Sequence, residues 1–492
     1  MDMKILCLVF IFVVLLILKL IRSYTIITSS PTKPSPPLRL PPGPWQLPLI
    51  GSLHHLLLSR FRDLPHRALR EMSKTYGPLM LLRFGSVPTL VVSSGEAAME
   101  DILFSPYNGR WRELRKVCVL ELFSQRRVLS FRSIREEEVA RLVFSISGEC
   151  AGGGQRQQPV VVNLSDGICR VVNDIVVRTA IGGRCKYREE FLRELEEAVR
   201  LAGGLNLADL YPSSRLLRRC SAAARAMAKC QRNMYRAIES IIQERKGTPP
   251  TAEQEEDLLG VLLRLQRDGG LQIALTNELV STVIFDIFSA GSDTSSNVLE
   301  WAMSELVKNP QVMHKAQAEV RETFKGQDKL TEDGMIKLRY LHLVIKETLR
   351  LHPPVPLLLP RECRQTCQVM GYDVPKGTKV FVNVWAIARD NKFWHDGEEF
   401  RPERFDSSNI DFKGTDFEYT PFGAGRRICP GMTLGLANVE LVLASLLYHF
   451  DWELPHGAKS EELDMTEVFG ITVSRKPRLW LKAKPRINFV SK

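Results

Sequence analysis

Apolar positions fall into three kinds of run along this chain. Residues 5–18 are unbroken apolar, and Lys19, Leu20, Ile21 and Arg22 follow. Counted to Ile21, with Lys19 snorkelling, the run is 17 residues long. That is the lower edge of what crosses ~30 Å of hydrocarbon as a helix. Short β-rich stretches, Leu79–Phe84 and Pro88–Val92, flank Gly85-Ser86-Val87 and predict a hairpin. Helical runs make up the third kind. Asn277–Lys308, stopped by Asn309-Pro310, is the longest, and its middle is apolar at Val283, Ile284, Phe285, Ile287 and Phe288. Tyr340–Leu351 and Met432–Tyr448 are further helices. Residues 134–242 alternate helical patterns with loops such as Gly152-Gly153-Gly154.

The breaks between runs set the organisation. Residues 1–22 read as an uncleaved N-terminal anchor. The rival, a cleaved signal peptide, has no small-residue cleavage site here, and Asp2 cancels Lys4 in the leading segment. The excess of Lys and Arg after the run puts the remainder on the cytosolic side. Residues 23–48 carry Pro34, Pro36, Pro37, Pro41, Pro42 and Pro44, which make a stiff extended spacer. Residues 49–492 are the remaining domain. Within it, Gly247–Glu256 reads as a polar surface loop. Leu201–Leu210 is either a second membrane contact or an ordinary connection between helices.

Composition narrows the function classes. The formal charge of +11 is spread over the chain, which suits an anionic membrane surface or an acidic protein partner. Nucleic acid is a poor alternative as a partner, since no finger spacing or recognition-helix pattern is present. The 10 cysteines are scattered, which fits a reducing compartment better than a disulfide framework. Cys363 and Cys367 lie four apart, but no second pair completes a zinc site, and they read as ordinary residues.

The candidate chemistry is concentrated in Phe422-Gly423-Ala424-Gly425-Arg426-Arg427-Ile428-Cys429-Pro430-Gly431. Two glycines permit a tight loop. Arg427 and the helix start at Met432 are both expected to lower the Cys429 thiol pKa. Such a thiolate can be a nucleophile, a redox thiol or a metal ligand. The pattern Phe-x-x-Gly-x-Arg-x-Cys-x-Gly resembles the haem-binding loop of the cytochrome P-450 superfamily. Pro-Phe-Gly-Ala-Gly-Arg-Arg-Ile-Cys-Pro-Gly, Trp385-Ala386-Ile387-Ala388-Arg389-Asp390 and Ala290-Gly291-Ser292-Asp293-Thr294-Ser295 look like its large plant microsomal clade, which oxidises terpenoids and other specialised metabolites.

The resemblance covers nearly the whole chain. It implies a mainly α fold with small β-sheets and haem b between the long helix and the Cys loop. Cys429 would be the axial iron ligand. Phe422, Gly425, Arg427 and Gly431 of the loop would contact haem, and Trp111, Arg115 and Arg361 would meet it from other elements. Thr294 would hydrogen-bond bound dioxygen, and Asp293 would help relay protons. Gly291 and its polar neighbours are expected to open a local kink in the helix. Glu347, Arg350 and Arg404 would brace the Cys loop. Ile287, Ala290, Val355, Leu357 and Phe469 would line an apolar substrate pocket. The implied activity inserts one oxygen of O2 into a small apolar substrate, a sesquiterpene or diterpene, at the endoplasmic reticulum membrane. Electrons would come from NADPH through a flavoprotein reductase docked near Arg112, Lys116 and Arg426. The chain departs from the family at Glu100–Asp101, where members carry roughly two dozen further residues that roof the distal pocket. The alternative function is therefore a catalytically impaired haem-binding pseudoenzyme or splice variant.

Overall fold

The Thr276 hydroxyl accepts a hydrogen bond from the Leu279 amide, and Pro310 opens the next helix after Asn309. Between these local signals Asn277–Lys308 forms one helix of 32 residues, about 48 Å long at ~1.5 Å per residue. The computed structural model describes residues 38–94, 109–151, 158–183, 193–194, 197–198, 201, 206–246, 256–327 and 329–486. The anchor, most of the hinge, the Gly152–Gly154 loop, the polar loop to residue 255 and the Glu100–Asp101 junction lie outside the described residues.

In chain order the elements that position the site begin with α1 (Pro65–Tyr76), β1 (Leu79–Phe84), β2 (Val87–Val92) and α2 (Gly109–Val117). There follow α3 (Arg132–Ala151), β3 (Val160–Asn163), α4 (Leu164–Ile181), α5 (Ala222–Lys246), α6 (Asn277–Lys308) and α7 (Arg339–Leu351). Next come β4 (Arg361–Glu362), β5 (Cys367–Val369), β6 (Tyr372–Val374), β7 (Lys379–Val382) and α8 (Met432–His449). The chain closes with β8 (Phe450–Glu453), β9 (Glu467–Phe469), β10 (Val473–Arg475) and β11 (Trp480–Pro485). The fold is mainly α with small sheets.

Helix α6 packs against α4, α5, α7 and α8. Its C-terminal half is the deepest part of the core: Leu299, Ala302, Met303 and Leu306 have no exposed surface, and Trp301 stacks on His352 at 4.1 Å. Burying each large apolar side chain here is worth about 1.5–3 kcal/mol. Helix α8 is the one described helix long and apolar enough to cross a membrane, but it is largely buried in this core. Its apolarity answers to packing.

Strands β1 and β2 form the expected hairpin, with Val87 inside the strand opposite Phe84 and a two-residue Gly85-Ser86 turn. Val87 is β-branched and has a cross-strand partner, so the turn is one residue shorter than expected. The sheet order is β1-β2-β7-β4, with β2 and β7 parallel. The described end of the proline hinge lies along β1: the Pro42 carbonyl accepts from the Leu81 amide at 2.9 Å. A Cβ at Gly43 would sit 2.1 Å from the Leu81 carbonyl oxygen. This part of the hinge is docked on the sheet rather than a free spacer.

Candidate active site

The cysteine loop is built by its own backbone. The Cys429 amide donates to the Phe422 carbonyl at 2.9 Å, Gly423 to Thr420 at 3.0 Å and Ile428 to Gly425 at 3.1 Å. Gly423 and Gly425 take φ of +72° and +66°, conformations that a side chain would strain. Phe422 packs edge-on against Phe412, with centroids 5.4 Å apart. Space around Gly425 and Gly431 is open, with no atom within 4 Å of where a Cβ would stand.

Three arginines from three different elements reach this loop. Arg115 of α2 donates to the Ile428 carbonyl. Arg361 of β4 is buried, with Nη2 3.8 Å from the place a Gly423 Cβ would take. Arg427 is buried and lies over the Trp111 ring at 4.3 Å. The charge picture differs from the sequence expectation. Burial pushes the Cys429 thiol pKa up, and the Gly431 amide and Arg115 only partly offset it. The cation acting on the sulfur is Arg115, because Arg427 is turned onto Trp111. A buried thiol in a loop met by three guanidinium groups, one of them acting on the sulfur, suits a metal-centred ligand with anionic arms. The residues present therefore fit a haem.

The start of α8 approaches α6: a Cβ at Gly435 would lie 3.7 Å from Ser295 Oγ. The other residues singled out in the sequence, Ala290 to Thr294, lie directly before Ser295 in α6. Thr294 Oγ1 donates to the Ala290 carbonyl at 2.6 Å, and Ser296 and Ser289 return similar bonds to Ser292 and Phe285. These hydroxyls satisfy the backbone locally, and the helix runs unbroken through Gly291 where an opening was expected. The Asp293 carboxylate accepts from Thr472 Oγ1, between β9 and β10, and from Asn297 at 3.4 Å. It is turned to the β9–β10 side rather than held by Thr294.

Ala290 is exposed in the middle of this otherwise buried helix, and so is Asp286 one turn before it. Asp286 was missed in the sequence, although an acid four residues before Ala290 sits on the same helical face. Its side chain faces open space yet stands deep among protein atoms, and that desolvation pushes its carboxyl up to about 6. The expected pocket residues do not all converge. Ile287 is buried in the main core, whereas Leu357 and Phe469 share a separate apolar cluster with β1, β2 and α1. Val355 is half-buried beside Pro354, whose carbonyl accepts from Val473 at 2.9 Å.

Phe469 stacks on His66 at 5.9 Å, next to an ion cluster that ties α1 to β9. Glu467 accepts from Arg67 at 2.9 Å and lies 3.3 Å from His66. Burial alone would raise the Glu467 carboxyl, but His66 and Arg67 overcome it and hold it at about 2. Burial lowers the His66 pKa, with Glu467 pulling the other way. A depressed carboxylate gives stability that is complete above the unfolded value near ~4.3 and is lost as pH falls toward the folded one. The expected outcome is an acid-side fall in the unfolding midpoint between roughly pH 4.3 and 2, which Glu467→Gln flattens. An unchanged pH profile in that variant would remove the assignment.

Glu347 is fully buried on α7 between two arginines. Arg350 donates to it through Nε at 2.7 Å and Nη2 at 2.8 Å, and Arg404 through Nε at 2.8 Å. The Arg401 amide adds a bond at 2.8 Å. Arg350 continues to the carbonyls of Ala388, Gly397 and Glu399. The cluster thus fastens α7 to residues 388–404.

Fold and loop together define the class, a mainly helical protein with one cysteine held in a glycine-rich loop met by three arginines. A family model described as Cytochrome P450 matches residues 97–481, and the chain belongs to that family. It is 50% identical over 477 residues to zealexin A1 synthase of Zea mays, covering 91% of this chain and 92% of the relative. It is 48% identical over 484 residues to ent-isokaurene C2/C3-hydroxylase of Oryza sativa subsp. japonica, covering 91% and 93%. Dolabradiene monooxygenase of Zea mays is 50% identical over 471 residues, covering 90% and 91%. The first alignment, at 477 residues, is longer than 91% of a 492-residue chain, so the relative fills positions that this chain leaves open.

Proposed function

We propose that this cytochrome P450 is a membrane-anchored haem-thiolate monooxygenase of an apolar terpenoid. The observation that carries the reading is the Cys429 loop, closed by its own backbone and ringed by Arg115, Arg361 and Arg427. Cys429 would bind the iron, and a metal cation there reverses the burial penalty on the thiolate. The three arginines, with Trp111, would balance the anionic arms of haem. Haem, when bound, supplies the O2 chemistry that inserts one oxygen atom into a C–H bond, with electrons from NADPH through a reductase.

The chain's own residues then do three things. Thr294 offers a hydroxyl at the exposed turn of α6, which donates a hydrogen bond there once it turns from the Ala290 carbonyl. Asp293 moves protons to that turn once it leaves Thr472. Ala290 and Val355 exclude water around an apolar substrate, and Leu357 and Phe469 belong to the neighbouring apolar cluster. The relatives' names, a zealexin synthase and two diterpene-type oxygenases, support a sesquiterpene or diterpene. The N-terminal anchor supports the endoplasmic reticulum membrane, and Arg112, Lys116 and Arg426 are candidates for the reductase contact.

Thr294→Ala tests the proton role. Product formed per NADPH consumed is expected to fall on the order of 10²-fold while haem content stays constant. Unchanged coupling would contradict the assignment. The second reading, a haem-binding pseudoenzyme, is favoured by the positions that the relatives fill and this chain lacks. Reductase, NADPH and a terpene panel separate the two: the pseudoenzyme loads haem and forms no product from any member.

A further inference from the structure

Cys363 and Cys367 follow Arg361 by two and six residues and lie at the edge of the small apolar cluster that includes β2, β5, β6 and β7. Their sulfurs are 3.5 Å apart, and both residues are half-buried. The backbone around them is fixed on both sides. The Cys363 amide donates to the Thr378 carbonyl at 2.8 Å, and the Gly377 amide donates to the Cys363 carbonyl at 2.7 Å. Cys367 is paired with Val374 in the β5–β6 ladder. Cys363 Sγ also lies 3.0 Å from the Gln365 carbonyl oxygen and 3.9 Å from that of Val374. The two thiols are therefore held together by strand pairing on each side of a short loop. A disulfide needs its sulfurs about 2.05 Å apart, so the two must close by about 1.5 Å to bond.

We propose that Cys363 and Cys367 are a reversible dithiol–disulfide site whose oxidant is hydrogen peroxide. One thiolate attacks a peroxide oxygen, the O–O bond breaks, and hydroxide leaves and is protonated to water. The sulfenic acid formed is attacked by the second thiolate, which makes the S–S bond and releases a second water. Two thiols lose two electrons and two protons, and the peroxide gains them. Elsewhere burial works against this chemistry: it pushes Cys118 up to about 11 and raises Cys150, Cys169 and Cys230. Among the described residues this is the one sulfur pair found in contact.

The site is tested on the full-length protein in membranes, exposed to hydrogen peroxide and then blocked with iodoacetamide. Trypsin cuts after Arg361, Arg364 and Lys376, so a bridge joins Glu362–Arg364 to Gln365–Lys376. The expected result is this joined peptide, lighter by two hydrogens and separated by dithiothreitol, with both alkylatable thiols lost together. In Cys363→Ser and Cys367→Ser the remaining cysteine is expected unbridged. Recovery of both cysteines alkylated, their separate conversion to sulfinic acids, or a bridge from either to a third cysteine overturns the proposal. Haem content, read on the same sample, does not enter this outcome, so the test is independent of the assignment of Cys429.

Discussion

Glu347→Ala is expected to leave little folded protein. The substitution strips the carboxylate from two arginines, one of which has no exposed side chain and the other very little. An ion pair of this depth returns little net stability when intact, because both partners are desolvated. Removing one partner is a different matter. Arg350 would keep its carbonyl bonds to residues 388, 397 and 399 but lose its counter-charge. Arg404 would lose its only charged contact found among the described residues. Breaking a buried pair in this way costs about 3–5 kcal/mol, a large share of the stability of an ordinary domain. The measurement is the unfolding midpoint of purified protein alongside its yield. Glu347→Gln is the informative companion, since it keeps the shape and some hydrogen bonds and is expected to fall between the two. A midpoint within error of the parent chain for Glu347→Ala would show that the cluster does not hold this region.

Much of the fold was legible because its signals are local. The bounds of α6 follow from Thr276 at one end and Asn309-Pro310 at the other, and both are readable within a turn of the helix. The same holds for α7 and α8, whose ends differ from expectation by one residue. The positive φ angles at Gly423 and Gly425 follow from the glycines themselves. Features that depend on distant partners were less accessible. Arg427 stands two residues from Cys429, yet its guanidinium goes to Trp111, more than 300 residues away in sequence. Proximity along the chain suggested a depressed thiol pKa, whereas burial, a property of the whole fold, raises it. Ile287 and Asp286 are neighbours on α6, but only the packing of surrounding helices decides which one is left open. Asp293 likewise finds Thr472, which no spacing rule connects to it.

The second large effect concerns the sulfur. Cys429 is the thiol of the glycine-rich loop, and its amide already closes that loop onto Phe422. Replacing the side chain by a methyl group should leave the backbone bonds and the arginines in place while removing the donor atom. The expected result is therefore a folded protein with its ligand site chemically changed, distinct from the collapse expected for Glu347→Ala.

The most direct measurement is the absorption spectrum of the reduced, carbon-monoxide-treated chain, compared with that of Cys429→Ala at matched amounts of folded protein. The account predicts the red-shifted Soret band of thiolate-ligated haem in the parent chain and its complete loss in the variant. A parent chain without bound haem, or a variant that keeps the same band, would contradict it.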